Sequence, residues 1–235
     1  MTADSANGIL TATNVKKSFF QGDKDSLEIL KGVSLKIDRP ESVAIMGRSG
    51  CGKSTFISLL AGLDAPTSGQ IEVLGKNLGG FSNRELNAFR ARHIGIIFQQ
   101  FHLLEHMTAL ENVRLPLDLN RLPDSDRRAE EVLNRVGLGH RMEHFPDQLS
   151  RGECQRVAIA RILVMKPEVL LADEPTGSLD VKTGREVIDL LFKMVESEGI
   201  ALVMATHDPK VAERCSRILY MDAGALNSER PATFA

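Results

Sequence analysis

With 235 residues, 43% of them hydrophobic and 26% charged, the chain has the balance of one globular α/β domain and not of a disordered or fibrous protein. A formal net charge of −2 argues against nucleic acid or anionic lipid as a partner, and apolar runs such as Val169–Ala172 and Ala201–Ala205 fall far short of the roughly 18 residues that a membrane span needs. Cys51, Cys154 and Cys215 form no C-x-x-C pair, and the polar start Met1–Gly8 lacks the features of a secretion signal, so a reducing cytoplasmic location is expected.

In chain order, Leu10–Val15 and Val33–Ile37 read as antiparallel or edge strands. Val43–Met46, Ile94–Phe98, Val169–Ala172 and Leu202–Ala205 are nearly continuous apolar runs, the pattern of parallel strands buried on both faces. Helical patterns lie between them. Thr55–Leu63 is the first; the second carries Ala129, Val132, Leu133 and Val136, with Asp124, Ser125 or Asp126 as cap and Gly137 as stop; the third is Gly184–Glu196. This alternation predicts an α/β fold on a mostly parallel sheet, with a helical insert over Gln99–Pro146. Loops at the carboxyl ends of such strands converge on one ligand site. His140 and His144, four apart, would share a helix face but lack the rest of a metal motif; Arg84, Arg90, Arg92 and His93 read as a solvated basic face; the segment after Gly224 reads as a polar, frayed tail.

Gly47-Arg48-Ser49-Gly50-Cys51-Gly52-Lys53-Ser54 satisfies G-x-x-x-x-G-K-[ST] between a strand ending at Met46 and a helix opening at Thr55. Glycines let the backbone curl round phosphates so that N–H groups and the helix N-terminus face negative charge. The motif points to a nucleoside triphosphate, with Lys53 reaching the β- and γ-phosphates and the Ser54 hydroxyl serving Mg²⁺.

Val169–Ala172 runs into Asp173 and Glu174. Because side chains alternate along a strand, the two acids take separate roles, Asp173 at the metal and Glu174 at the attacking water. His207, after the strand ending at Ala205-Thr206, is placed to contact the γ-phosphate. Lys53, Glu174 and His207 are thus the expected catalytic groups.

With these motifs in this order, and with Phe19, Gln99, Ser150-Arg151-Gly152-Glu153 and Asp180 between and around them, the chain resembles ABC transporter ATP-binding subunits over nearly its whole length. The resemblance implies that Phe19 stacks on adenine, that Gln99 lies between metal and permease, that Ser150–Glu153 is the signature loop and that Asp180 is the acid of the D-loop. It implies one domain over 1–235: a RecA-like core with an antiparallel β edge (1–98 and 156–224), a helical subdomain (99–155) and a polar tail (225–235). Two subunits would pair head to tail around ATP, and a separate permease would contact the 99–155 region at the inner face of the cell membrane. Phe98-Gln99-Gln100-Phe101-His102-Leu103-Leu104 and Thr108-Ala109-Leu110-Glu111-Asn112-Val113 resemble the lipoprotein-releasing and macrolide-exporter branch, which implies export or extraction of a lipoprotein, lipid, peptide or drug-like cargo. The same branch also resembles an ATPase that regulates cell-wall hydrolases. Soluble members acting on nucleic acid need coiled coils, zinc motifs or a second cassette, which this sequence lacks.

The family signature reads Leu-Ser-Gly-Gly-Gln, and here Arg151 replaces its first glycine. A positive φ at that point would strain any residue but glycine. A cation there also suits a γ-phosphate. The expectation is a slow but competent ATPase; the alternative is a regulatory subunit that binds ATP and hydrolyses little.

Overall fold

The computed structural model describes residues 8–21 and 25–231. In chain order they form β1 (Leu10–Gln21), β2 (Asp25–Ile37), β3 (Ser42–Met46), α1 (Lys53–Leu60), β4 (Ser68–Val73), β5 (Lys76–Asn77), α2 (Asn83–His93) and β6 (Ile94–Ile97). The helices α3 (Ala109–Leu119), α4 (Ser125–Arg135) and α5 (Arg151–Leu163) follow, then β7 (Val169–Asp173), α6 (Val181–Glu198), β8 (Ala201–Thr206), α7 (Pro209–Ala212), β9 (Arg217–Asp222) and β10 (Ala225–Asn227).

The core sheet has the order β10-β9-β3-β8-β7-β6 and is parallel except for β10. Strand alternation divides its side chains between two apolar clusters. Val43, Ile45, Leu171, Val203 and Ala205 pack with Phe56, Ile57 and Leu60 of α1, while Ala44, Leu170, Ala172, Leu202 and Met204 pack with residues of α5 and α6 such as Ile159 and Leu191. Both faces are therefore buried, which accounts for the continuous apolar runs.

The antiparallel strands expected near the start form a sheet of their own, β2-β1-β4-β5, and β1 and β2 extend well beyond the expected ranges. Leu10, Ala12, Val15, Leu30 and Val33 join the α1 cluster, so this sheet covers the helix that carries the phosphate loop. Within the segment expected to be a polar tail, residues 225–227 form a strand, β10. Ala225–Asn227 pairs with β9, and Gly224, at φ +84°, turns tightly enough that its carbonyl accepts from the Lys31 N–H at 2.9 Å. Backbone pairing needs no apolar side chains, and composition therefore could not reveal it.

The helical region holds α3 and α4, and α5 runs without interruption from Arg151 across position 155 to Leu163. Asp124 stands at the N-cap of α4 in a left-handed conformation, and its carboxylate meets Arg127 at 3.2 Å instead of a helix N–H. His140 lies in a 3₁₀ turn and His144 beyond it, so the two share no helix face; His144 sits 3.0 Å from the Arg141 guanidinium. Among the described residues no cluster of three or more His, Cys, Asp or Glu is arranged for a metal ion, and no helix is long and apolar enough to cross a membrane.

The loop before α3 is held by Asn112, which is fully buried. Its amide donates to the carbonyls of Leu104, Met107 and Thr108, and its oxygen accepts from the Leu104 N–H, all within 3.1 Å. Asn112→Leu would remove the side-chain partner of the Leu104 N–H and of the Met107 carbonyl, while the Leu104 and Thr108 carbonyls keep backbone partners. Thermal or urea unfolding is expected to show a loss of about 2–3 kcal/mol.

Candidate nucleotide-binding and hydrolytic site

Register across the core sheet aligns the carboxyl ends of three strands: Met46 lies opposite Thr206, and Asp173 opposite Ala205. The phosphate loop, Asp173-Glu174 and His207 therefore emerge on one edge, where ligands of open α/β sheets bind.

The loop's geometry depends on its glycines. Gly50 and Gly52 adopt φ of +81° and +107°, which side chains resist, and a Cβ at Gly47 would press on the Cys51 sulfur and lie 2.7 Å from the Met221 carbonyl. Gly52 caps α1 without a side chain, which leaves the first N–H groups of the helix for an anion. Lys53, only 6% exposed, donates to the carbonyls of Gly47 (2.9 Å) and Arg48 (3.1 Å). Its ammonium also lies 3.9 Å from Glu174. One side chain thus ties the loop together and reaches the opposite acid.

Burial pushes the Asp173 carboxyl above its ordinary range, against the lowering effect of a hydrogen bond from Ser54; the charge of Glu174 adds to the rise and that of Lys53 opposes it. One Asp173 oxygen is buried without a hydrogen-bond partner. A buried, unpaired carboxylate oxygen beside a serine hydroxyl suits a hard divalent cation, which takes oxygen ligands. The residues present fit Mg²⁺.

Glu174 has a left-handed backbone, φ +49°, held by its own N–H to the Ala205 carbonyl (2.9 Å) and by the Gly177 N–H to its carbonyl (3.0 Å). Such a conformation is disfavoured for a residue with a side chain and concentrates at functional sites. Its carboxylate meets His207, whose Nδ1 lies 2.5 Å from it. A cavity of about 680 Å³ opens beside Glu174, His207 and Asp180.

The remaining expected residues occupy three places. Phe19 projects from β1, 46% exposed, with the Lys17 ammonium 5.0 Å from its ring. Gln99 lies against the backbone of Gly177, and its carbonyl accepts from the Ser178 hydroxyl at 3.2 Å. Gln99 and Arg151 line one groove together with Phe101 and Ser178.

Ser150 caps α5, accepting from the Glu153 N–H, while Glu153 accepts from the Ser150 N–H and hydroxyl at 2.8 Å and faces Arg141 at 3.2 Å. Burial opposes ionisation of Glu153, yet these Ser150 bonds and Arg141 hold its carboxyl below the usual value. Arg151 is the first residue of α5 and has no positive φ, so the strain that a glycine would relieve is absent. Gly152 is confined by neighbours and not by conformation, because a Cβ there would overlap the Thr183 methyl. Asp180 caps α6, accepting from the N–H groups of Lys182 and Thr183 at 3.1 Å, and Thr183 foremost keeps its carboxyl below the ordinary range.

Two side chains that join these parts escaped the sequence reading. Gln155 reaches from α5 to the Pro175 carbonyl, and Arg161 donates to the carbonyls of His102 (2.7 Å) and Phe101 (3.0 Å). Gln155 lies on the helix face of Ala158, Ile159 and Ile162, and a polar residue in an apolar stripe was the available signal.

A glycine loop at a helix N-terminus, facing a strand that ends in paired carboxylates, defines a P-loop protein that binds nucleoside triphosphate and handles its terminal phosphate. The family model for ABC transporters matches residues 30–177. The chain belongs to the ABC transporter ATP-binding family and is an ATPase subunit of that kind. It is 44% identical to an ABC transporter ATP-binding protein of Escherichia coli K12, YbbA, over 95% of this chain and 99% of that one. The lipoprotein-releasing system ATP-binding protein LolD of Syntrophus aciditrophicus is also 44% identical, with 93% of this chain and 98% of that one covered. The macrolide export ATP-binding/permease protein MacB of Bartonella henselae matches 96% of this chain at 44% identity, with 34% of its own length. Among solved structures, the ATP-binding cassette MJ0796, described as a dimer in a post-hydrolysis state bound to ADP and Pi, superposes with a TM-score of 0.85 at 39% identity, covering 94% of this chain and 99% of that one.

Proposed function

We propose that the chain hydrolyses Mg-ATP at a site it shares with a second copy and drives a separate permease that exports or extracts an amphiphilic cargo. The observation that carries the catalytic part is the contiguous set Lys53, Glu174 and His207 at the aligned strand ends. Lys53 and the α1 N-terminus bind the phosphates, Phe19 offers a face to adenine, and Glu174 orients the attacking water and takes its proton. His207 holds that carboxylate and contacts the γ-phosphate. Ser54 and Asp173 would hold Mg²⁺, which when bound offsets the charge of the phosphate oxygens. Ser150 to Glu153 and Asp180 face the second copy, in keeping with the dimeric description of MJ0796.

Support for the permease comes from a groove of about 470 Å³ between α2, α3 and α5, with Phe98 partly exposed and Leu119 74% exposed in it. Its apolar lining, broken by Arg90 and Arg161, suits a short amphipathic segment of a membrane protein. The proposed setting is therefore the inner face of the cell membrane. Export is supported by likeness to relatives named for lipoprotein release and macrolide export.

Steady-state Mg-ATP hydrolysis across protein concentration tests this reading. Turnover per chain is expected to rise with concentration. Because the Arg151 backbone is unstrained, its effect lies in side-chain bulk and charge at the shared site, and Arg151→Gly is expected to raise turnover about 10-fold, about 1.4 kcal/mol of barrier. An unchanged rate would overturn the view that Arg151 slows hydrolysis, and a lower one would show that Arg151 assists. Bound ATP with no turnover in either chain, permease included, would favour the regulatory reading.

A further inference from the structure

The helix that starts at the signature segment grips the hydrolytic loop through one buried side chain. Gln155 on α5 is fully buried and donates from Nε2 to the Pro175 carbonyl at 2.5 Å. Pro175 directly follows Glu174, whose left-handed backbone persists only if its surroundings over-determine it. The Ala205 and Gly177 hydrogen bonds come from β8 and from the turn itself, whereas Gln155 reaches this turn from the signature helix. Proline has no N–H, so its carbonyl is the only backbone group there that α5 can hold.

The other end of the same loop is also in contact with α5. Gly152 lies against Thr183, whose N–H is bound by Asp180 at the start of α6. A shift of Ser150 and Arg151 would therefore move both ends of the segment between Glu174 and α6. The Gln155 amide oxygen is buried without a hydrogen-bond partner. A buried amide oxygen of this kind does not add to the stability of the core, and the polar bond that Gln155 makes here is the one from its nitrogen to Pro175.

We infer that Gln155 is a positioning residue that fixes the Pro175 carbonyl and with it the Glu174 carboxylate. Contact of the signature segment with a nucleotide held by a second copy is thereby passed to the hydrolytic carboxylate of its own subunit. The inference rests on Glu174 acting as that carboxylate.

Gln155→Met keeps length and removes the donor. In the full chain with Mg-ATP, kcat is expected to fall about 10- to 100-fold while KM for ATP and affinity for ADP stay unchanged, because the phosphate loop is untouched. Added to Glu174→Gln under single-turnover conditions, Gln155→Met should cause no further loss, since it acts through the residue already removed. Gln155→Leu repeats the comparison should the methionine variant fail to fold. Turnover that survives Glu174→Gln would overturn the hydrolytic reading and this inference with it. Turnover lost there but unaltered by Gln155→Met, or losses that multiply, would overturn the inference alone.

Discussion

Glu174→Gln is expected to lower ATP turnover by about 10²–10⁴-fold while leaving ATP binding intact. The amide keeps the shape of the side chain and cannot accept the proton of the attacking water. Binding survives because the phosphate loop, Lys53 and Ser54 do not depend on the carboxylate; of these groups Lys53 alone loses an ion pair, at 3.9 Å, and the His207 contact lies outside the loop. The left-handed backbone at Glu174 is held by main-chain bonds to Ala205 and from Gly177, so the substituted side chain should point the same way. Blocked hydrolysis should also trap two chains around ATP. Size-exclusion chromatography with Mg-ATP is then expected to show a dimer for the variant where the parent shows exchange with monomer. A variant that turns over at the parental rate would move the base elsewhere, with His207 the neighbouring group to test.

Lys53→Met should act on binding instead. The lysine stem stays, but the ammonium that bonds the Gly47 and Arg48 carbonyls, and that we propose binds the phosphates, is removed. Loss of charge-assisted bonds worth about 1.5–3 kcal/mol predicts an ATP affinity at least about 10- to 100-fold weaker by titration calorimetry. The same titration with a chelator separates lysine from metal. The parent should keep part of its affinity, supplied by Lys53 and the α1 N-terminus, and the variant should keep almost none. Equal losses in both chains would mean that Ser54 and Asp173 dominate.

Local chemistry made much of this site legible. The phosphate loop needs glycines where φ is positive, and Gly50 and Gly52 stand at those points. Each β-strand that is buried on both faces must be apolar throughout, which marked β3, β6, β7 and β8 and hence the loops that follow them. Capping boxes at Ser150/Glu153 and Thr108/Glu111 join residues only three apart. The strand β10 was read as a tail because its pairing depends on β9 and not on its own composition. The boundary expected between 155 and 156 falls inside α5, which is continuous from Arg151 to Leu163.

The sequence by itself determined the candidate groups and the edge of the sheet on which they lie, because both follow from residue type, spacing and strand alternation. Only the tertiary structure decided how they are joined. The Gln155–Pro175 bond spans 20 residues, the hold of Arg161 on the Phe101 and His102 carbonyls about 60, and the packing of the β1–β2 sheet on α1 follows from burying one apolar face that alternation marks without naming its partner. The same holds for Arg151. Its replacement of a glycine is visible in the sequence, but its unstrained backbone follows from the capping of α5, which removes conformational strain as the reason for any change in rate.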